Sequence, residues 1–228
     1  MNPKPYKALI FDWDGTLADS TAQIVQSMQH AAQAAGFPAP SDHDVRQVIG
    51  LSLDKALNTV APNISADERE QLVYHYRRHY LSPANRTVLF AEAAQWLPVF
   101  QQHYWLTVAT GKSRAGLVKS LADTASAGYF MATRTVDECA SKPHPEMILS
   151  LCDELGLQPH EVLMIGDTTH DLMLAANAGA DAVAVNTGAH DAATLQQAPH
   201  IALLGGMADL AHWLGLSGSL NQPNIKNI

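Results

Sequence analysis

The chain has 228 residues, 47% of them apolar and 16% charged, with a formal net charge of −8. Its length allows one large or two modest domains with a sizeable core, and its composition is globular rather than disordered. The acidic balance, with no basic cluster beyond Arg77-Arg78, excludes a nucleic-acid-binding face, which needs many Lys and Arg together. Cys139 and Cys152 match no metal spacing and are too few for a disulfide framework, so they read as idle thiols in a reducing compartment. No signal-peptide core and no run of about 18 apolar residues occurs, so a cytoplasmic protein with no membrane partner is expected.

The first apolar run, Ala8 to Phe11, predicts a strand that stops at Asp12-Trp13-Asp14-Gly15-Thr16. Residues two apart in extended backbone point the same way, so both carboxylates face one site. Their repulsion needs a cation, hydrogen bonds or a proton on one member. Gly15 permits a tight turn, where the N–H groups of Gly15 and Thr16 can face an anion. The same residues also suit a plain Asx turn.

From Ser20 to Pro83 the sequence reads helical. TAQIVQSMQHAAQAAG closes on Gly36 as a C-cap, and SDHDVRQVIG opens on a Ser/Asp N-cap and closes on Gly50. SADEREQLVYHYRRHYL opens with Ser65 and Glu68 at capping-box spacing. His75 and His79 share a face of that helix, but with no acidic third ligand nearby they read as an exposed or packing stripe.

SPANRT ends the helical stretch, and Trp105 to Ala109 predicts the next strong strand. It runs into ATGKS, where the Thr110 hydroxyl and a helix opening at Gly111-Lys112-Ser113 make either an anion site or an ordinary N-cap. A weaker strand is expected over Tyr129 to Ala132. ASKPHPEMI then sets Lys142 before Pro143, with Pro145 stiffening the approach to a helix over Pro145 to Leu155. A lysine so held can neutralise an aspartate and a phosphate oxygen together.

Val162 to Ile165 predicts a strand ending at Gly166-Asp167, and Asp171 falls in the first turn of a helix over Asp171 to Ala178. Asp167 and Asp171 can face one hard cation, and Mg²⁺ takes one or two carboxylates besides waters and substrate phosphate. Asp171 also suits the helix dipole alone. Ala182 to Val185 and the weaker Ile201 to Leu204 complete the strands. Strands alternating with helices predict an α/β fold, a doubly wound parallel sheet whose ligands bind beyond the carboxyl ends of the strands. SGSLNQPNIKNI reads as a loose tail.

Taken together, DWDGT, VATGKS, SKPHPE and IGDTTHD resemble the four motifs of the haloacid dehalogenase-like hydrolase superfamily, with similarity to its phosphoglycolate-phosphatase-like members over about residues 6 to 190. The resemblance implies a Rossmann-like core domain over 1–18 and 85–216, an all-helical cap domain over 19–84 inserted after the first strand, and a flexible tail over 217–228. It implies a Mg²⁺-dependent phosphatase of small soluble phosphate monoesters, with a small phosphorylated metabolite as partner. In that scheme Asp12 is the nucleophile that forms an aspartyl-phosphate, and Asp14 is the general acid/base. Thr110 and Lys142 join them as catalytic groups, and Gly15, Thr16, Thr110, Gly111 and Lys142 hold phosphoryl oxygens. Mg²⁺ is held by Asp12, the backbone carbonyl of Asp14, Asp167 and, directly or through water, Asp171. A monomer or weak dimer is expected.

Two departures bear on substrate. Trp13 stands where the superfamily commonly has Leu, Met or Phe; the phosphonate-cleaving branch has tryptophan there but lacks the second acid, which Asp14 supplies here. The stretch from Gly50 to about Lys55 resembles the family's substrate-specificity loop, and Leu51 and Leu53 make its rim apolar where mutase relatives carry a basic residue near position 53. Arg46, Lys55 and Arg134 are either surface charges or contacts to a second substrate anion. The alternatives are a phosphonatase, a 2-haloacid dehalogenase, a phosphomutase, or a phosphoaspartate switch without turnover.

Overall fold

Apolar runs of four or five residues form the four central strands of a six-stranded sheet, and three-residue strands form its edges. In the computed structural model, which describes residues 5–216, these are β1 (Ala8–Phe11), β2 (Trp105–Ala109), β3 (Ala132–Arg134), β4 (Val162–Gly166), β5 (Asp181–Val185) and β6 (Ala202–Leu204). The tail expected over 217–228 lies outside the described residues. The order is β3-β2-β1-β4-β5-β6 and every pairing is parallel. Phe11 aligns with Val108 on one side and Ile165 on the other, so the ends of β1, β2 and β4 lie level.

Alternation along β1 builds two cores. Leu9 and Phe11 pack with α5 (Ala91–Phe100), α6 (Arg114–Asp123) and α10 (Met207–Trp213), through Leu97, Phe100, Leu117 and Leu210. Ala8 and Ile10 face the other way, onto α7 (Glu146–Leu155), α8 (Thr169–Ala178) and α9 (Ala192–Leu195), through Met147, Leu151, Leu172 and Leu195. Full burial of each such Leu or Phe contributes about 1.5–3 kcal/mol. The sheet is therefore doubly wound, as expected.

Between β1 and α5 the chain forms α1 (Thr21–Ala34), α2 (Asp42–Val48), α3 (Leu53–Val60) and α4 (Ala66–Tyr80). They bury a third apolar cluster of their own, including Ile24, Met28, Val45, Leu57 and Leu72. Ser41, Ser52 and Ser65 cap α2, α3 and α4, and Ser65 and Glu68 complete a capping box. The helix α3 begins within the stretch from Gly50 to about Lys55 read from sequence as a specificity loop and runs on to Val60. The chain leaves and re-enters the sheet side by side: Ala18 bridges Leu89, and Leu17 O and Asp19 N bond Phe90 N and Val88 O.

One strand is shifted. Tyr129 to Ala132 was the expected span, but Ala127–Tyr129 forms a 3-10 turn and β3 starts at Ala132. Tyr129 and Phe130 pack over the β1 core face instead of joining the ladder. Among the described residues no helix is long and apolar enough to cross a membrane.

Candidate active site

Two strand ends, the first turn of a helix and one loop deliver charged groups to one buried place. Asp12 follows β1 directly, its N–H bonded to Ile165 O, and its side chain is 1% exposed. Asp167 follows β4, and Asp171 is the third residue of α8. Carboxylate oxygens of Asp12, Asp167 and Asp171 all lie within 4.8 Å of one another. Lys142, fully buried, reaches between them: its Nζ is 2.5 Å from Asp12 Oδ1 and 2.6 Å from Asp171 Oδ1.

Each carboxylate has its own support. Asp171 Oδ2 accepts from the N–H (3.1 Å) and hydroxyl (2.7 Å) of Thr168, the capping box of α8. So Asp171 serves the helix terminus and faces the lysine at once. Asp167 accepts from the Thr16 hydroxyl and from Ala189 N–H, each at 2.7 Å. A Cβ on Gly188 would stand 1.9 Å from Asp167 Oδ2, so only glycine lets that loop lie against the carboxylate. Asp12 Oδ2 is buried without a hydrogen-bond partner.

The electrostatics follow from burial. Desolvation pushes the Asp12 carboxyl well above its ordinary range; Lys142 pulls it back, and Asp171, Asp167 and Asp14 push it up again. Asp167 is pushed up to about 7, by burial and then by Asp171, against the bonds from Ala189 and Thr16. Burial works against the Lys142 ammonium, but Asp12 and Asp171 outweigh it and hold its pKa above the usual lysine range.

Asp14 occupies a separate niche beside the trio. Its Oδ1 accepts from Ser20 Oγ at 2.5 Å and pairs with Lys112 Nζ at 2.8 Å. Lys112 is buried, bonds the Tyr80 hydroxyl of α4, and lies 4.5 Å from the centre of that ring. Sequence reading passed over Lys112, Ser20 and Tyr80. The one signal was the place of Lys112 two residues beyond Thr110, where it reads only as part of a helix opening.

Thr110 is buried at the end of β2, and its hydroxyl accepts from Lys112 N–H at 3.2 Å. Gly111 lies under the helical segment, where a Cβ would meet the carbonyl oxygens of Gly50 and Leu51 at 2.4 and 2.5 Å. Gly15 has φ +84° and gives its N–H to Ala18 O. Its part is the turn, and that N–H is already used. Lys55 donates to the carbonyls of Ser141 and Lys142 at 3.1 and 3.3 Å, and Ser52 N–H donates to Ser141 Oγ at 2.9 Å. Arg134 pairs with Glu154. His79 bonds Ser27 and packs against the His30 ring at a tilt, which makes it a packing residue. Trp13 is fully buried, edge-on to Phe130.

A cavity of about 390 Å³ opens between the helical segment and the sheet's carboxyl edge, and Asp14 and Lys112 line its inner end. A doubly wound sheet with a lysine-bridged acidic cluster beyond its central strands is the frame of a hydrolase that works with carboxylates. The chain belongs to the haloacid dehalogenase-like hydrolase family, whose model matches residues 9–185. It is 35% identical over 197 residues to IndB of Dickeya dadantii, described as a probable phosphatase, covering 83% of this chain and 85% of that one. It is 30% identical to a phosphoglycolate phosphatase of Vibrio vulnificus, covering 78% and 83%. Among solved structures, a haloacid dehalogenase-like hydrolase from Bacteroides fragilis matches with a TM-score of 0.82 at 28% identity, over 90% of this chain and 99% of that one. These relatives mark the chain as an enzyme of the phosphatase kind.

Proposed function

We propose that the enzyme is a cytoplasmic, Mg²⁺-dependent phosphatase of small soluble phosphate monoesters, with the helical segment over 19–84 acting as a cap on a core over 1–18 and 85–216. The observation that carries this reading is the Asp12 carboxylate. One of its oxygens lies on Lys142, and the other is buried with no partner. An orphaned buried carboxylate oxygen is costly unless a ligand completes it.

The donor set fits Mg²⁺. Three carboxylates supply hard oxygens within 4.8 Å of one another, and a single ammonium leaves their charge uncompensated. Asp12 and Asp167 would hold the ion, with the Asp14 backbone carbonyl and, directly or through water, Asp171. Bound there, the ion would offset the charge of the phosphoryl oxygens.

The chain's own residues do the rest. An Asp12 oxygen attacks phosphorus, and the P–O bond to the leaving alcohol breaks, giving an aspartyl-phosphate. Asp14, in its acid form, gives its proton to the leaving oxygen. Ser20 and Lys112 both bond its Oδ1, which leaves Oδ2 for that proton. Asp14 then takes a proton from a water that attacks phosphorus, and Asp12 departs as carboxylate. Lys142, the Thr110 hydroxyl and the N–H groups of Thr16 and Gly111 hold the phosphoryl oxygens. Lys55 serves as a donor to two carbonyls, which speaks against a Schiff-base role and so against the phosphonatase alternative.

The test is phosphate release from p-nitrophenyl phosphate. Wild-type enzyme should turn over with Mg²⁺ and stop in excess chelator, and Asp12→Asn should lose at least about a thousandfold in kcat. Undiminished turnover in chelator, or in Asp12→Asn, would overturn the reading.

A further inference from the structure

The cavity touches the acidic site at Asp14 and not at Asp12, Asp167 or Asp171. Asp14 is the proposed proton donor to the leaving oxygen, so, given that reading, the cavity houses the leaving alcohol rather than the phosphoryl group. Its chemistry then describes that alcohol.

Its size is one constraint. A water-sized group takes about 30 Å³, so a cavity of about 390 Å³ has room for roughly a dozen of them, far more than the handful of heavy atoms in glycolate. Charge is another. Asp14, Asp54 and Asp137 line the cavity together with the cations Lys55, Arg77 and Lys112. Lys112 is already paired with Asp14, and Lys55 is occupied by the Ser141 and Lys142 carbonyls. Of the three cations only Arg77, exposed on α4, is left to meet a second anionic group on the substrate. Much of the lining is apolar: Ile24, Met28, Val45, Val48 and Ile49 belong to one cluster of the helical segment, with Leu53 packed against it. Ser52 and Tyr76 add uncharged donors.

We propose that the leaving group is an uncharged alcohol with an apolar body, of the size of a short alkyl chain or a single ring, and that small anionic leaving groups such as glycolate or phosphate itself are poor substrates. Burial of each methylene contributes enough to raise kcat/KM about fourfold.

The experiment measures kcat/KM with Mg²⁺ for n-alkyl phosphates from methyl to hexyl, whose leaving alcohols differ little in acidity, beside phosphoglycolate and pyrophosphate. The expected result is a rise of about fourfold per methylene over the first few carbons. Phosphoglycolate and pyrophosphate should fall at least about tenfold below butyl phosphate. Leu53→Asn, at a half-exposed position, should lower the hexyl-to-methyl ratio. A flat alkyl series, or phosphoglycolate or pyrophosphate as the best substrate, overturns the leaving-group assignment while the phosphatase reading stands. Failure to release phosphate from every substrate, p-nitrophenyl phosphate included, overturns the phosphatase reading and this inference with it.

Discussion

Two aspartates two residues apart on one strand end have different surroundings, and that difference separates their chemistry. Asp12 is locked between Lys142 and two further carboxylates, with one oxygen unsatisfied. Asp14 is held through one oxygen by Ser20 and Lys112 and lines the cavity. A proton donor matters most where the leaving group is a poor one. Asp14→Asn should therefore lower kcat for an alkyl phosphate by about 10²–10⁴-fold, and the first step with p-nitrophenyl phosphate much less. Burst kinetics measure that step, and an equal loss on both substrates would remove the proton-donor role. Asp12, Thr110 and Asp167 were legible because each sits where an apolar run stops, Lys142 because prolines stiffen its segment, and Asp171 because it falls one helical turn beyond Asp167. Lys112, Ser20, Tyr80 and Gly188 were not, because their roles arise from packing between distant segments. Nothing local distinguishes Gly188 in NTGAHD from a turn glycine, yet its missing side chain is what admits Asp167.

Among elements, the helices before α5 show which signals survive folding. Ser41 and Ser65 mark their helices from sequence because a cap is a local hydrogen bond. The helix α3 was hidden because eight residues carry too little periodicity, and the strand expected at Tyr129 failed because aromatic residues suit a turn packed on a sheet face as well as a strand. The cap of α4 offers a control far from the chemistry. Ser65→Ala removes the bond to Glu68 N–H and should cost about 1 kcal/mol in urea unfolding, with kcat/KM unchanged. No change in the denaturation midpoint would show that the capping box is dispensable.

For the whole molecule, the acidic cluster ties stability to pH and to the ion. Asp12 and Asp167 hold protons more tightly folded than unfolded, the latter with a value of about 7. Their stabilising contribution is present below the unfolded value of about 4 and is lost as pH rises through the folded value. An ion that binds the carboxylates displaces those protons. Saturating Mg²⁺ should therefore raise Tm more at pH 8, by roughly 5–10 °C, than at pH 5.5. Burial holds His170 and His190 below the usual histidine range, so they lose stability as pH falls; being present with and without the ion, they cancel from the difference. Equal Mg²⁺ shifts at the two pH values, read by calorimetry, would exclude the cluster as the ion's site.

Covalent capture at Asp12 tests the chemistry at its centre. Asp14→Asn, turning over p-nitrophenyl phosphate with Mg²⁺, should form the phosphoenzyme but lack the base that clears it. Acid quenching, proteolysis and mass spectrometry should find one phosphoryl group on the peptide that carries Asp12, and none when Asp12→Asn is added. Steady phosphate release with that peptide never modified would contradict the nucleophile assignment.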